Sequence, residues 1–206
     1  MTATANPTYV AFDGERRIGS GSLRDVARAG REALDRHRDA SILVFDVQTS
    51  ALVDLDLRGS VDDVLARIPA APTHPADEDT ASAAPRGPGR PKLGVVAREI
   101  TLLPRHWDWL AQQKGGASVA IRKLVDEARR VNEEPDRIRL GQEAAYRFMS
   151  AMAGNRPHFE EAIRALFAND PRRFEKLIAE WPADVRDHTA KLAERAFRPE
   201  ISARAG

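Results

Sequence analysis

Ten residues, Pro85 to Gly94 (PRGPGRPKLG), hold three prolines, three glycines, three positive charges and no acid. The charges are Arg86, Arg90 and Lys92. Glycine lets a backbone approach a surface closely, proline holds it extended, and guanidinium and ammonium groups bind phosphate oxygens. The chemistry open to such a stretch is contact with a polyanion. Two readings follow: a solvated basic spacer, or a length of chain made to lie along nucleic acid.

Other residues that could do chemistry do not assemble into a motif. The chain has no cysteine, which excludes disulfides, thiolate metal sites and a Cys nucleophile. Gly19–Ser22 (GSGS) is glycine-rich before a helix but lacks the Gly-x-x-x-x-Gly-Lys pattern of a phosphate loop. His37, His74, His106, His158 and His188 are scattered, with no pair at metal-ligand spacing on a helix. His158 and His188 stand beside Glu160, Glu161 and Asp187, and folding alone decides whether they meet. Asp54 and Asp56 share one face at period two, as two carboxylates of an acid/base site would, or as the wet face of a sheet would. Trp107 belongs to an apolar helix face and is expected in the core, leaving Trp109 freer to stack. A non-catalytic protein with no cofactor and no metal is the expectation.

The elements that must carry the basic stretch come next. The formal net charge of +1 over 206 residues conceals segregation. Residues 1–84 hold 9 basic and 14 acidic side chains, residues 85–130 hold 10 and 4, and residues 131–206 hold 13 of each. The middle of the chain, at +6, is the part whose field attracts polyanions. No apolar run reaches the roughly 18 residues a membrane helix needs, and MTATANPTYV has no secretory pattern, so no membrane and a cytoplasmic location are expected.

Residues 1–68 predict a small ββαββα unit. TYVAFDG and RRIGSGS form a hairpin about Asp13-Gly14, and Ser22 with Asp25 makes a capping box for a helix from Leu23 to about His37. SILVFDVQTSALVDLDLRG reads as two strands, and Ser60 with Asp63 caps a short helix through Ile68. Residues 69–94, rich in proline and poor in large apolar side chains, predict a flexible linker ending in the basic stretch.

Residues 95–131 predict a strand from Arg98 to Leu103, a helix begun by Pro104, a Gly115-Gly116 turn, and a second helix capped by Ser118. Ile121, Leu124, Val125 and Ala128 are its apolar face, with Arg122, Lys123, Arg129 and Arg130 on or near the wet side. Residues 132–206 predict a helical bundle, with Asp170-Pro171 starting one helix and Asp184 capping the last. The fold class is α+β.

Three resemblances bear on function. Gly89-Arg90-Pro91 resembles the core of an AT-hook, a peptide of the A·T-rich minor groove, with Arg86 and Lys92 as flanking phosphate contacts. The full hook reads Pro-Arg-Gly-Arg-Pro, and here Pro88-Gly89 separate Gly87 from Arg90. The order strand, helix, glycine turn, helix, with ASVAIRKLVDEARR, resembles a ribbon-helix-helix segment. That resemblance implies two chains pairing their strands antiparallel in a major groove, with phosphates held by amides from about Gly116 to Val119. It assigns Arg98, Thr101, Arg105, Ser118, Arg122 and Lys123 to DNA, while Glu99 departs from what a DNA-facing ribbon prefers. The other reading of this segment is a strand and two helices packed into the protein's own core. Over nearly its full length the chain also resembles a bacterial family defined as a domain of unknown function (number 2239). That resemblance rests on GRPKLGVVAREITLLPRHWDWL, GGASVAIRKLVDEARR, AAYRFMSAMAGN and WPADVRDH. It implies a bacterial, soluble protein and carries no activity with it.

The expected function is DNA binding, as a regulator or nucleoid-associated factor, through Arg86, Arg90, Pro91, Lys92 and the six residues above. A·T-rich DNA is a candidate target, and a homodimer follows if the ribbon forms. The alternative is a non-catalytic protein-interaction module with a basic tether.

Overall fold

The computed structural model describes residues 8–69 and 98–198, and the chain divides into two compact units. One is built from residues 8–69 and 133–198, the other from residues 98–132.

The first unit begins with a hairpin. β1 (Tyr9–Asp13) and β2 (Arg16–Gly21) run antiparallel, joined by a turn in which Gly14 takes φ 55°. β3 (Ile42–Asp46) pairs with the other edge of β1, giving the order β2-β1-β3. Because strand side chains alternate, Val10 and Phe12 face one side of the sheet and Ala11 the other. Ala11 and Val44 pack with Val26 of α1 (Leu23–Arg36), on the face that α1 covers. α2 (Val61–Arg67) packs Val64 against Ala27 of α1. Both helices begin in complete capping boxes, Ser22 with Asp25 and Ser60 with Asp63, in which serine and aspartate each satisfy the other's backbone amide.

The alternating stretch after β3 departs from expectation. Only Leu52 bridges, to Phe45, and the chain then leaves the sheet. Its half-buried Val53, Leu55 and Leu57 lie against the α1 and α2 side of the sheet instead, with Asp54 and Asp56 exposed. A period of two arose here from covering a helix-lined surface, not from a fourth full strand.

α3 spans Pro104–Ala111, and α4 spans Gly116–Ala153, its residues to Asn132 in the second unit and those from Glu133 in the first. The sequence divides the chain between residues 131 and 132, yet one helix runs across that boundary and carries Pro135 within it. The ring removes one amide donor and leaves the Val131 carbonyl without its helical partner, at a place where Val131 and Pro135 are both exposed. Pairs on the same stretch add support: Arg137 to Glu134 at 2.7 Å, and Arg139 to Asp136 at 3.1 Å and Glu143 at 2.9 Å.

The chain ends in α5 (Phe159–Phe167), α6 (Pro171–Ile178) and α7 (Ala183–Ala193). Asp170 caps α6 ahead of Pro171, as expected, whereas Pro182 holds the cap position of α7, and Asp184 in its first turn accepts the Arg17 backbone N–H at 2.8 Å. One core joins these helices to the free face of the sheet. Phe148 of α4 lies 5.4 Å from Phe12 and 5.1 Å from Phe45, centroid to centroid, and Met149, Leu166, Phe174, Trp181 and Val185 complete the packing. Sheet and bundle, at opposite ends of the sequence, therefore share one interior.

Candidate nucleic-acid interface

In the second unit, residues 98–103 form no strand, and no other strand stands among the unit's described residues to pair with them. Pro104 opens α3 as its first residue, where the missing amide hydrogen costs nothing. Gly115 and Gly116 then take φ 91° and 74°, a left-handed reversal that side chains resist. This reversal starts α4 two residues ahead of the expected cap, so Ser118 lies inside the first turn.

Arg98, Thr101, Arg105, Ser118, Arg122 and Lys123 are all exposed. On α4, Ser118, Arg122 and Arg129 stand at i, i+4 and i+11 and form one stripe, with Lys123 and Arg130 about a quarter turn round the helix. Arg130 is held by Glu127 at 2.8 Å. Arg98, Arg105, Lys114, Arg122, Lys123 and Arg129 make no ion pair among the described residues. Arg86, Arg90, Pro91 and Lys92 lie outside the described residues.

The helix starts carry the same sign. α1 and α2 place aspartates in their first turns and α5 places Glu160 and Glu161 there, but neither α3 nor α4 has an acid in its first turn. α3 also lacks a side-chain cap. Uncapped amides and the positive end of the helix dipole receive anions.

A second feature of this unit was not legible as a site. Ile100, Leu102, Trp109, Leu110, Leu124 and Val125 line an open apolar cavity of about 510 Å³. Leu110 is buried, while Ile100, Trp109, Leu124 and Val125 remain about half exposed. Trp107, expected in the core, is 41% exposed, and Trp109 is the tryptophan on the groove. The apolar face of α4 was read correctly from its periodicity. What the sequence did not reveal is that, among the described residues, this face stays open.

The other candidates resolve as structure. Asp56 bonds Arg58 at 2.8 Å, which with Arg67 nearby holds its carboxyl well below the usual range, the opposite of a general acid. Gly19 to Gly21 end β2 and Ser22 caps α1. His158 is an exposed residue at φ 61° before α5, and His188 is buried. Among the described residues no group of three or more His, Asp or Glu is placed to hold a metal, and no helix is long and apolar enough to cross a membrane.

No curated protein and no solved structure matches the chain. A family model matches residues 8–193, which takes in the sheet, the basic unit and the helices through α7, and the chain belongs to that family, described as "Uncharacterized protein conserved in bacteria (DUF2239)".

Proposed function

We propose that this chain is a DNA-binding protein of the bacterial cytoplasm, a transcriptional regulator or nucleoid-associated factor that acts by binding and not by catalysis. The observation that carries the reading is a set of exposed cations, Arg98, Arg105, Arg122 and Lys123, that make no ion pair among the described residues, in the one strongly basic segment of the chain. Acid-free starts of α3 and α4 add backbone donors of the same sign. Arg86, Arg90 and Lys92 serve as an arm on phosphates or an A·T-rich minor groove, with Pro91 keeping the arm extended. Two copies pair residues 98–103 antiparallel, which gives that segment a partner edge, covers Ile100 and Leu102, and presents Thr101 on the opposite, outward face, with Arg98 at the end of the covered face. Ser118, Arg122 and Lys123 then meet backbone phosphates.

The test is fluorescence anisotropy with A·T-rich and G·C-rich duplexes at several salt concentrations, for the full chain and an Arg86→Ala, Arg90→Ala, Lys92→Ala variant. Binding that weakens with salt, and weakens further in the variant, is expected. Equal affinity for the variant removes the arm from the account. Analytical ultracentrifugation decides the pairing, since a monomer at micromolar concentration contradicts a two-chain ribbon.

The open groove favours a second reading, a protein-interaction module with a basic tether. Charge reversal at Arg90 and Lys92 separates the two: DNA retention collapses under the first, and partner capture survives under the second.

A further inference from the structure

We infer that His188 makes the joint between the sheet and α7 an acid-sensitive latch, closed by the neutral imidazole and opened by the imidazolium. The ring is 5% exposed and sits between two phenylalanines, 4.6 Å from the Phe148 centroid and 5.7 Å from that of Phe12. It therefore touches α4 and β1 from α7, where the two halves of the first unit's core meet. Its buried Nε2 has no hydrogen-bond partner among the described residues. A neutral ring tolerates that position, with the proton on the other nitrogen. A charged ring must donate from both nitrogens, and a buried cation without an acceptor is expensive.

The charged groups around the slot favour the neutral ring. β2 contributes Arg17, and α7 itself contributes Lys191 one turn on, both positive. Asp184, one turn back on α7, is the carboxylate on this face, and it already accepts the Arg17 backbone N–H. Asp187, the preceding residue in the chain, is exposed and accepts from Arg186 at 2.9 Å. β1 and α4 bring the rings of Phe12 and Phe148. Burial first, then the Arg17 and Lys191 charges, push His188 down to about 4 from the ordinary 6.5.

A histidine whose folded-state affinity for protons is depressed contributes stability above its unfolded value, and that contribution is lost as pH falls from 6.5 toward 4. The unfolded chain takes up the proton first, so acid draws the equilibrium toward opening. Between pH 7 and pH 5 the folding constant falls about 20-fold from this one residue.

Urea unfolding at pH 7 and pH 5 tests the latch on the full chain, with His188→Phe as the variant, an aromatic ring that cannot charge. The wild type is expected to lose about 20-fold more folding constant than the variant over that interval. NMR titration of the wild-type His188 ring provides an independent reading, which stands alone should the variant not fold. A ring that stays neutral to below pH 5 supports the latch. A ring that titrates near 6.5, or equal pH dependence in the two proteins, overturns it.

Discussion

Phe148 and Leu124 lie on the same helix, α4, yet Phe148 is fully buried and Leu124 is 52% exposed. The difference follows the division into units. In the first, each face of the sheet has a layer against it: α1 on the Ala11 side and the C-terminal helices on the Phe12 side. In the second, residues 98–103, α3 and the first part of α4 bring apolar side chains together and leave them half in water. The helix ends repeat the contrast, with acids at the starts of α1, α2 and α5 and none at the starts of α3 and α4. A unit that satisfies its own surfaces is a scaffold. The other unit leaves apolar area and positive charge unmatched among its described residues, which is why the functional proposal rests there.

The comparison can be broken most directly at its two ends. Phe148→Ala is expected to destabilise the first unit by about 3–5 kcal/mol in urea unfolding, the usual cost of emptying a packed aromatic site. Leu124→Ala is expected to cost that unit nothing measurable and to weaken self-association instead. Equal effects of the two would erase the distinction. Gly141→Val comes next. A Cβ there lies 2.5 Å from the backbone carbon of Arg195, so α4 and the chain after α7 must part, with an expected loss of about 1–3 kcal/mol of unfolding free energy. Ser60→Ala removes one side of a capping box and is expected to lower stability by about 1 kcal/mol. The smallest effect sharpens the contrast. Ser118→Asp gives α4 the acid its first turn lacks, which is expected to add about 0.3–1 kcal/mol to the helix at low salt. The same change should reduce DNA affinity, and a gain in stability with unchanged affinity would remove the helix start from the interface.

Features encoded within a few residues were legible. Ser22 with Asp25, Ser60 with Asp63, Asp13-Gly14, Pro104 and Asp170-Pro171 each mark the boundary where it occurs, because a cap or turn is satisfied by its immediate neighbours. What depended on distant residues was not. Val53 to Leu57 alternates like a strand but covers the α1 and α2 side of the sheet. Asp184 was expected to cap α7 and instead reaches the Arg17 amide on β2. Of the candidate interface, the outward placement of Arg105, Arg122 and Lys123 follows from helical periodicity. The uncovered groove depends on what is missing around it, which a local pattern does not record. His188 looked like one more scattered histidine until Phe12 and Phe148, from the far end and the middle of the chain, closed over it.

The most direct test of the central claim is the salt dependence of DNA affinity for the full chain and for an Arg122→Glu, Lys123→Glu variant, with the unfolding curve of each recorded alongside. The account predicts a linear fall of log affinity with log salt, with slope about −0.9 per phosphate neutralised. It predicts a slope shallower by about one for each phosphate that the variant no longer neutralises, and unchanged unfolding of the first unit. A wild-type protein that binds no duplex at about 50 mM salt, a concentration where phosphate contacts are strong, would contradict it.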